Sequence, residues 1–151
     1  MNPLKLISLL LFTIILSSCG TSYHPYVSSS VDLSKYKYVT ISEVSGATNT
    51  PALMDLYINV YNALSETRLT IIGAKQIDSL SDAQKKELLQ ATYSTGREDR
   101  SRIVGINLVE YISGKPVIAF RGKYEFGINE NDNLRGASDR ATKELINSFK
   151  K

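Results

Sequence analysis

Pro116-Val-Ile-Ala-Phe-Arg-Gly-Lys-Tyr-Glu-Phe-Gly-Ile128 decides the fold. Ile118, Phe120, Gly122, Tyr124 and Phe126 fall on one side of an extended chain, and Ala119, Arg121, Lys123 and Glu125 on the other. That is the two-residue period of a half-buried strand. Residues 103–112 read as a second strand, and Ser113-Gly114-Lys115 supplies turn chemistry between the two, so the region predicts a β-hairpin. A three-residue loop with Gly114 left-handed sets Leu108 opposite Phe120 and Val104 opposite Tyr124. This register is preferred because it buries more carbon. A two-residue Ser-Gly loop would shift the pairing by one and turn Val109 and Asn107 inward.

Upstream, Lys35-Tyr-Lys-Tyr-Val-Thr-Ile-Ser-Glu-Val44 is rich in aromatic and β-branched residues and predicts a strand. Thr50-Pro51 opens a helix, with Leu53, Leu56, Tyr57, Val60 and Leu64 on one face and Arg68 placed to meet the dipole at its end. Leu69-Thr-Ile-Ile-Gly73 reads as a short strand. A strand, helix, strand run of this length implies a right-handed crossover and parallel pairing. Ser81-Asp-Ala-Gln84 is a capping box and predicts a shallow surface helix to about Tyr93. Residues 97–102 form a charged loop. Asn131-Asp-Asn133 caps a last helix whose inner face carries Leu134, Ala137, Ala141, Leu145 and Phe149, with Asp139 and Lys143 spaced to pair outside. The expected fold is α/β and two-layered: a mixed four-stranded sheet in the order β-α-β-α-β-β-α, with helices mostly on one face.

The other informative stretch is the start. Lys5 precedes an eleven-residue apolar run from Leu6 to Leu16, followed by Ser17-Ser18-Cys19-Gly20, and Cys19 is the only cysteine of the 151 residues. The run has signal-peptide length and is short for a spanning helix, which needs about 20 residues. Leu16-Ser17-Ser18-Cys19 resembles the lipobox of bacterial lipoproteins, position by position. The resemblance implies a signal peptide over 1–18, cleavage between Ser18 and Cys19, and fatty acyl chains on Cys19 such as palmitate. Two or three chains on one residue anchor stably where one holds only marginally. Gly20 lacks the aspartate that retains enteric lipoproteins at the inner membrane, so the expected address is the outer membrane with the domain in the periplasm. Residues 19–34 are small and polar and read as a flexible tether; residues 35–151 read as one α/β domain.

A broader likeness joins these parts. Tyr36-Lys-Tyr-Val-Thr-Ile41 soon after the tether, a following helix, the Ser113-Gly114-Lys115 turn and a closing helix with Ala137 and Ala141 resemble small envelope lipoproteins with a TolB N-terminal-like fold. That group includes the curli-secretion lipoprotein and the lipoprotein activator of penicillin-binding proteins. It implies an adaptor or assembly role; the curli pore's membrane-spanning insertions are missing here.

Chemistry is sparse. His24 is the only histidine and falls in the tether, so a Ser-His-Asp set or a metal site lacks its ligands, and neither cofactor nor metal is expected. Glu110 and Glu125 on neighbouring strands are the one pairing of carboxylates, read as solvent-facing. Gly105, Gly122 and Gly127 have no phosphate-loop spacing. A formal net charge of +3 gives no reason to expect nucleic acid. The expectation is a non-enzymatic, lipid-anchored protein binding another envelope protein. Tyr36, Tyr38, Arg97, Arg100, Arg102 and Tyr124 are its candidate contacts. A cell-wall or carbohydrate binding or processing role is the alternative, and it requires a concave pocket.

Overall fold

The computed structural model describes residues 26–27, 31–42 and 51–151. Six strands form one sheet: β1 (Tyr26–Val27), β2 (Tyr38–Ile41), β3 (Thr70–Ile71), β4 (Leu88–Glu98), β5 (Ser101–Glu110) and β6 (Pro116–Tyr124). The spatial order is β1-β6-β5-β4-β2-β3. Among the described residues three α-helices join them: α1 (Pro51–Ser65), α2 (Asp82–Lys86) and α3 (Glu130–Ser148). β2 runs parallel to both β3 and β4, and every other pairing is antiparallel. The sheet is therefore mixed and the fold α/β, as expected, but it has six strands rather than four.

The two additional strands have separate causes. The capping box is present, with Gln84 N–H donating to Ser81 Oγ at 3.3 Å and Ser81 N–H donating to Gln84 Oε1 at 3.0 Å. The helix it opens nevertheless stops at Lys86 instead of running to Tyr93. From Leu89 onward Ala91 and Tyr93 are buried while Gln90 and Thr92 are half-buried, a period of two that pairs β4 with both β2 and β5. Tertiary pairing wins over a local pattern that fits either period. The other new strand lies inside the expected tether. Tyr26 and Val27 pair with Ala119 and Ile118, lending backbone groups to the otherwise open edge of β6.

The charged loop over 97–102 shrinks to a turn at Asp99-Arg100, with strand on both sides. Asp99 takes φ 53°, a left-handed conformation that a short polar side chain tolerates. At the other end of β5 the hairpin loop is five residues, 111–115, closed by Gly114 N–H to Glu110 O at 2.8 Å and Glu110 N–H to Lys115 O at 2.9 Å. Gly114 is left-handed at φ 66°. The longer loop, together with a bulge between Leu108 and Val109, moves the register by two: Leu108 faces Ile118, Ile106 faces Phe120, and Val104 faces Gly122. A shift of two keeps every side chain on its expected face.

α1 and α3 fill one face of the sheet. Leu56, Val60 and Leu64 of α1 and Ala137, Ala141 and Leu145 of α3 are buried against Val39, Leu89, Ile106 and Phe120. Phe149 closes the bottom of this core. Each buried leucine, isoleucine, valine or phenylalanine here contributes about 1.5–3 kcal/mol, and each alanine less. α3 approaches most closely over Gly122, where a Cβ would lie 1.8 Å from the Ala137 carbonyl oxygen. No ion pair joins Asp139 to Lys143 among the described residues. Arg68 lies beyond the end of α1 and does other work: its Nη1 and Nη2 donate to the carbonyls of Tyr36 and Leu33, each at 2.6 Å, and it lies 5.5 Å from the Phe149 ring centre.

Candidate functional site

The two ends of the sheet differ in character. At the end where β2 begins and β5 stops, polar groups saturate one another. Lys35 Nζ and Tyr36 OH both donate to Glu110 Oε1 at 2.8 Å, and Ser113 Oγ donates to Glu110 Oε2 at 2.6 Å. The hydrogen bond from Lys35 leads these three in holding the Glu110 carboxyl down at about 2. Burial, first of all, pushes the Tyr36 hydroxyl up. With Arg68 clamping two carbonyls beside it, this end ties the segment leading into β2 to the 111–115 loop and to the C-terminus. It is a clasp whose polar groups are already satisfied.

Two of the expected partner contacts belong to this end. Tyr36 is 0% exposed, so it is a core residue and not a surface contact. Its hydroxyl gave it a polar look in sequence, and that polarity is spent on Glu110. Tyr38 is half-buried, with its hydroxyl accepting from Gln84 Nε2 at 3.4 Å. Glu110 and Glu125 stand at opposite ends of antiparallel strands, so they do not make a paired-carboxylate site. Cys19, Ser18 and His24 lie outside the described residues. Among the described residues no three His, Cys, Asp or Glu side chains cluster as metal ligands.

The opposite end brings the other four candidates together. Arg102 lies directly across from Tyr124 and from Arg97 in the sheet, and Arg100 occupies the turn. Glu130, the first residue of α3, bridges two of them: Arg97 Nη1 at 3.2 Å and Arg102 Nη2 at 2.7 Å. On the other face Glu98 meets Arg121 at 3.0 Å and Lys123 at 3.3 Å. Arg100 enters no ion pair among the described residues. Tyr124 is half-buried, pressed on Gly136, where a Cβ would sit 2.5 Å from its ring, and covered by Arg140 at 5.1 Å. Phe126 meets Tyr124 edge-on at 6.1 Å. The sequence missed three features here. Phe126, expected inward, is 74% exposed, and Ile128 is 99% exposed. The role of Glu130 had no signal beyond an acidic residue in a first helical turn.

A second surface feature lies on α1. Met54, Ile58 and Tyr61, spaced i, i+4, i+7, stay 42%, 46% and 44% exposed on the side away from the core. Tyr61 contacts Tyr57 at 6.3 Å, and Tyr57 reaches Tyr93 of the sheet at 6.4 Å. Between α1 and α3 runs a groove of about 400 Å³ lined by Asp55, Asn59, Asn131, Asp132 and Arg135, among others. No helix among the described residues is long and apolar enough to cross a membrane.

The architecture is that of a small α/β domain with two helices on one face of a mixed sheet. No family model and no curated protein matches the sequence. Among solved structures, the chain is similar in fold to PelC from Paraburkholderia phytofirmans, a dodecamer. A single-substitution variant of PelC gives a TM-score of 0.52 at 16% identity, over 85% of this chain and 100% of that one. A second crystal form of PelC gives 0.49 at 15% identity, over 85% and 96%. A Caulobacter crescentus protein described provisionally as a lipoprotein gives 0.38 at 13% identity, over 77% and 88%. At these identities the likeness is one of fold.

Proposed function

We propose that the chain is a lipid-anchored, non-enzymatic domain of the bacterial envelope, held in the outer membrane through Cys19, that docks another envelope protein on α1. The observation that carries the docking is the outward stripe of Met54, Ile58 and Tyr61. It is a row of large apolar side chains on a helix whose opposite face already fills the core. The anchor rests on Leu16-Ser17-Ser18-Cys19. The likeness to PelC, a dodecamer, makes a second copy of this chain the first partner to test.

A photoreactive residue at position 58 of the acylated chain tests this in membranes. The expected result is one discrete cross-linked species, of dimer mass if copies pair. It should be lost on Tyr61→Asp while membrane attachment persists. A smear, or a species unaffected by Tyr61→Asp, would refute docking on α1.

The groove between α1 and α3 favours a second reading, a glycan-binding role, because its amide and carboxylate lining suits hydroxyl groups. Saturable binding of cell-wall fragments that Asn59→Ala removes would support it. An unsaturable response would dismiss it.

A further inference from the structure

The end of the sheet carrying Arg97, Arg100, Arg102 and Tyr124 has a use that follows from where the chain leaves the described fold. β1 runs antiparallel to β6, with Tyr26 opposite Ala119. The N-terminal end of β1 therefore faces the Tyr124 end of β6. From Ala119 to Tyr124 is about 17 Å of strand. From Tyr26 back to Cys19 the chain can span at most about 25 Å. Acyl chains on Cys19 can thus reach a leaflet on which this end of the sheet rests.

That end presents what a membrane interface accepts. Phe126 and Ile128 are 74% and 99% exposed, an aromatic and a branched aliphatic side chain two residues apart. The loop between them is held down. Gly127 N–H donates to Asn133 Oδ1 at 2.7 Å, and a Cβ on Gly127 would lie 2.6 Å from Asp132 Cβ. Gly127 is pressed on the first turns of α3, and its two neighbours are left outside. Arg100, at the tip of the adjacent turn, is exposed and enters no ion pair among the described residues. Aromatic residues and arginines favour the headgroup region for their apolar area and their charge respectively.

We propose that Phe126 and Ile128 enter the interfacial region of the leaflet that holds the acyl chains of Cys19, with Arg100 meeting headgroup phosphates. This rests on the lipid-anchored reading and adds an orientation to it: the Asp99-Arg100 turn and the 125–129 loop face the lipid, and the Glu110 clasp faces away. One lipid-modified residue then no longer leaves the domain free to tumble.

The test uses the absence of tryptophan from the chain. Phe126→Trp introduces a single reporter at an exposed site, and Ile128→Trp is the second variant should the first disturb folding. Ile112→Trp, in the loop at the far end and 60% exposed, is the control. The acylated full chain is reconstituted in vesicles of phosphatidylethanolamine and phosphatidylglycerol. The expected result is blue-shifted emission at position 126 or 128 that brominated lipid quenches, with position 112 unshifted and quenched by iodide. An acylated protein whose indole at 126 and 128 stays open to iodide would overturn the docking alone. So would a blue shift that brominated lipid does not quench, which marks a protein contact. A purified chain whose mass shows no acyl groups would overturn the lipid-anchored reading and the docking with it.

Discussion

Gly122→Ala tests the helix–sheet seam on which the fold depends. A Cβ at position 122 would lie 1.8 Å from the Ala137 oxygen and 2.9 Å from both Ala137 C and Ala141 N. All three are backbone atoms, so no side chain can swing away. Ordinary contact needs about 3.4 Å or more, so α3 must retreat by about 1.5 Å above β6. Gaps of 0.5–1 Å already forfeit about a quarter to a half of a contact's attraction. The seam under Ala137, Ala141 and Leu145 loosens as a unit. Overpacking typically costs about 1–3 kcal/mol, and a backbone clash belongs at the top of that range. Replacing a strand glycine returns about 0.5–1 kcal/mol, leaving a net loss of about 2–2.5 kcal/mol. Urea unfolding should show the midpoint falling by about 1–2 M at unchanged m-value. Gly105→Ala is the comparison: its Cβ meets only Ser94 Oγ, at 3.0 Å, and should change stability by less than about 0.5 kcal/mol. Because the clash is with a carbonyl, Ala137→Gly should not rescue Gly122→Ala. A loss below about 1 kcal/mol, or rescue by Ala137→Gly, would refute the reasoning.

Three further outcomes are expected. Glu110, held at about 2 against an ordinary 4.5, contributes stability that is complete above pH 4.5 and fades as pH falls toward 2. Glu110→Gln should flatten the stability profile over that window and cost about 1–2 kcal/mol at neutral pH, allowing for a side chain 25% exposed; a profile as steep as the wild type's would sink this. Arg68→Met takes the donor from the Tyr36 carbonyl and leaves the Leu33 carbonyl only the Tyr36 N–H at 3.3 Å, and should cost about 1–2 kcal/mol, with Arg68→Lys recovering little because one ammonium cannot copy the fork; recovery with lysine, read from thermal unfolding, counts against it. Cys19→Ala should abolish labelling by radioactive fatty acid and move the protein to the soluble fraction, and undiminished labelling would end the lipid-anchored reading.

What could be read in advance divides along physical lines. The period of β6 and the inner faces of α1 and α3 were legible because a single buried face imposes a regular spacing. The register of the β5–β6 hairpin was not. It depends on whether residues 111 and 112 belong to the strand or the loop, which backbone bonds from Glu110 decide, and on the bulge between Leu108 and Val109. Leu88-Leu89-Gln90-Ala91 satisfies a helix and a strand equally, and only the neighbours β2 and β5 choose. Phe126 continues the alternation of β6 but escapes burial, since the strand stops at Tyr124 and α3 begins at Glu130, leaving no helix above it. Four of the six expected contact residues share one end, because three flank the β4–β5 turn and Tyr124 pairs with Arg102. Tyr36 could not be told from a surface tyrosine without knowing that Glu110 and Lys35 would meet its hydroxyl.

The sheet's edges constrain how copies or partners can attach. β1 and β3 are two residues each, too short to template a long added strand. Beyond Tyr26 and Val27, among the described residues, β6 is bordered by no further strand, and there Arg140 Nη1 donates to the Lys123 carbonyl at 2.9 Å. A guanidinium on an edge carbonyl occupies the acceptor that an incoming strand would need, and its charge opposes pairing with another copy. Strand addition is thus disfavoured at both margins. Association is left to side-chain surfaces, and on α1 the row Met54, Ile58 and Tyr61 offers apolar area with no carboxylate or ammonium among its three members. Docking on α1 would leave the 125–129 loop uncovered, so one domain can hold a protein and rest on lipid at once.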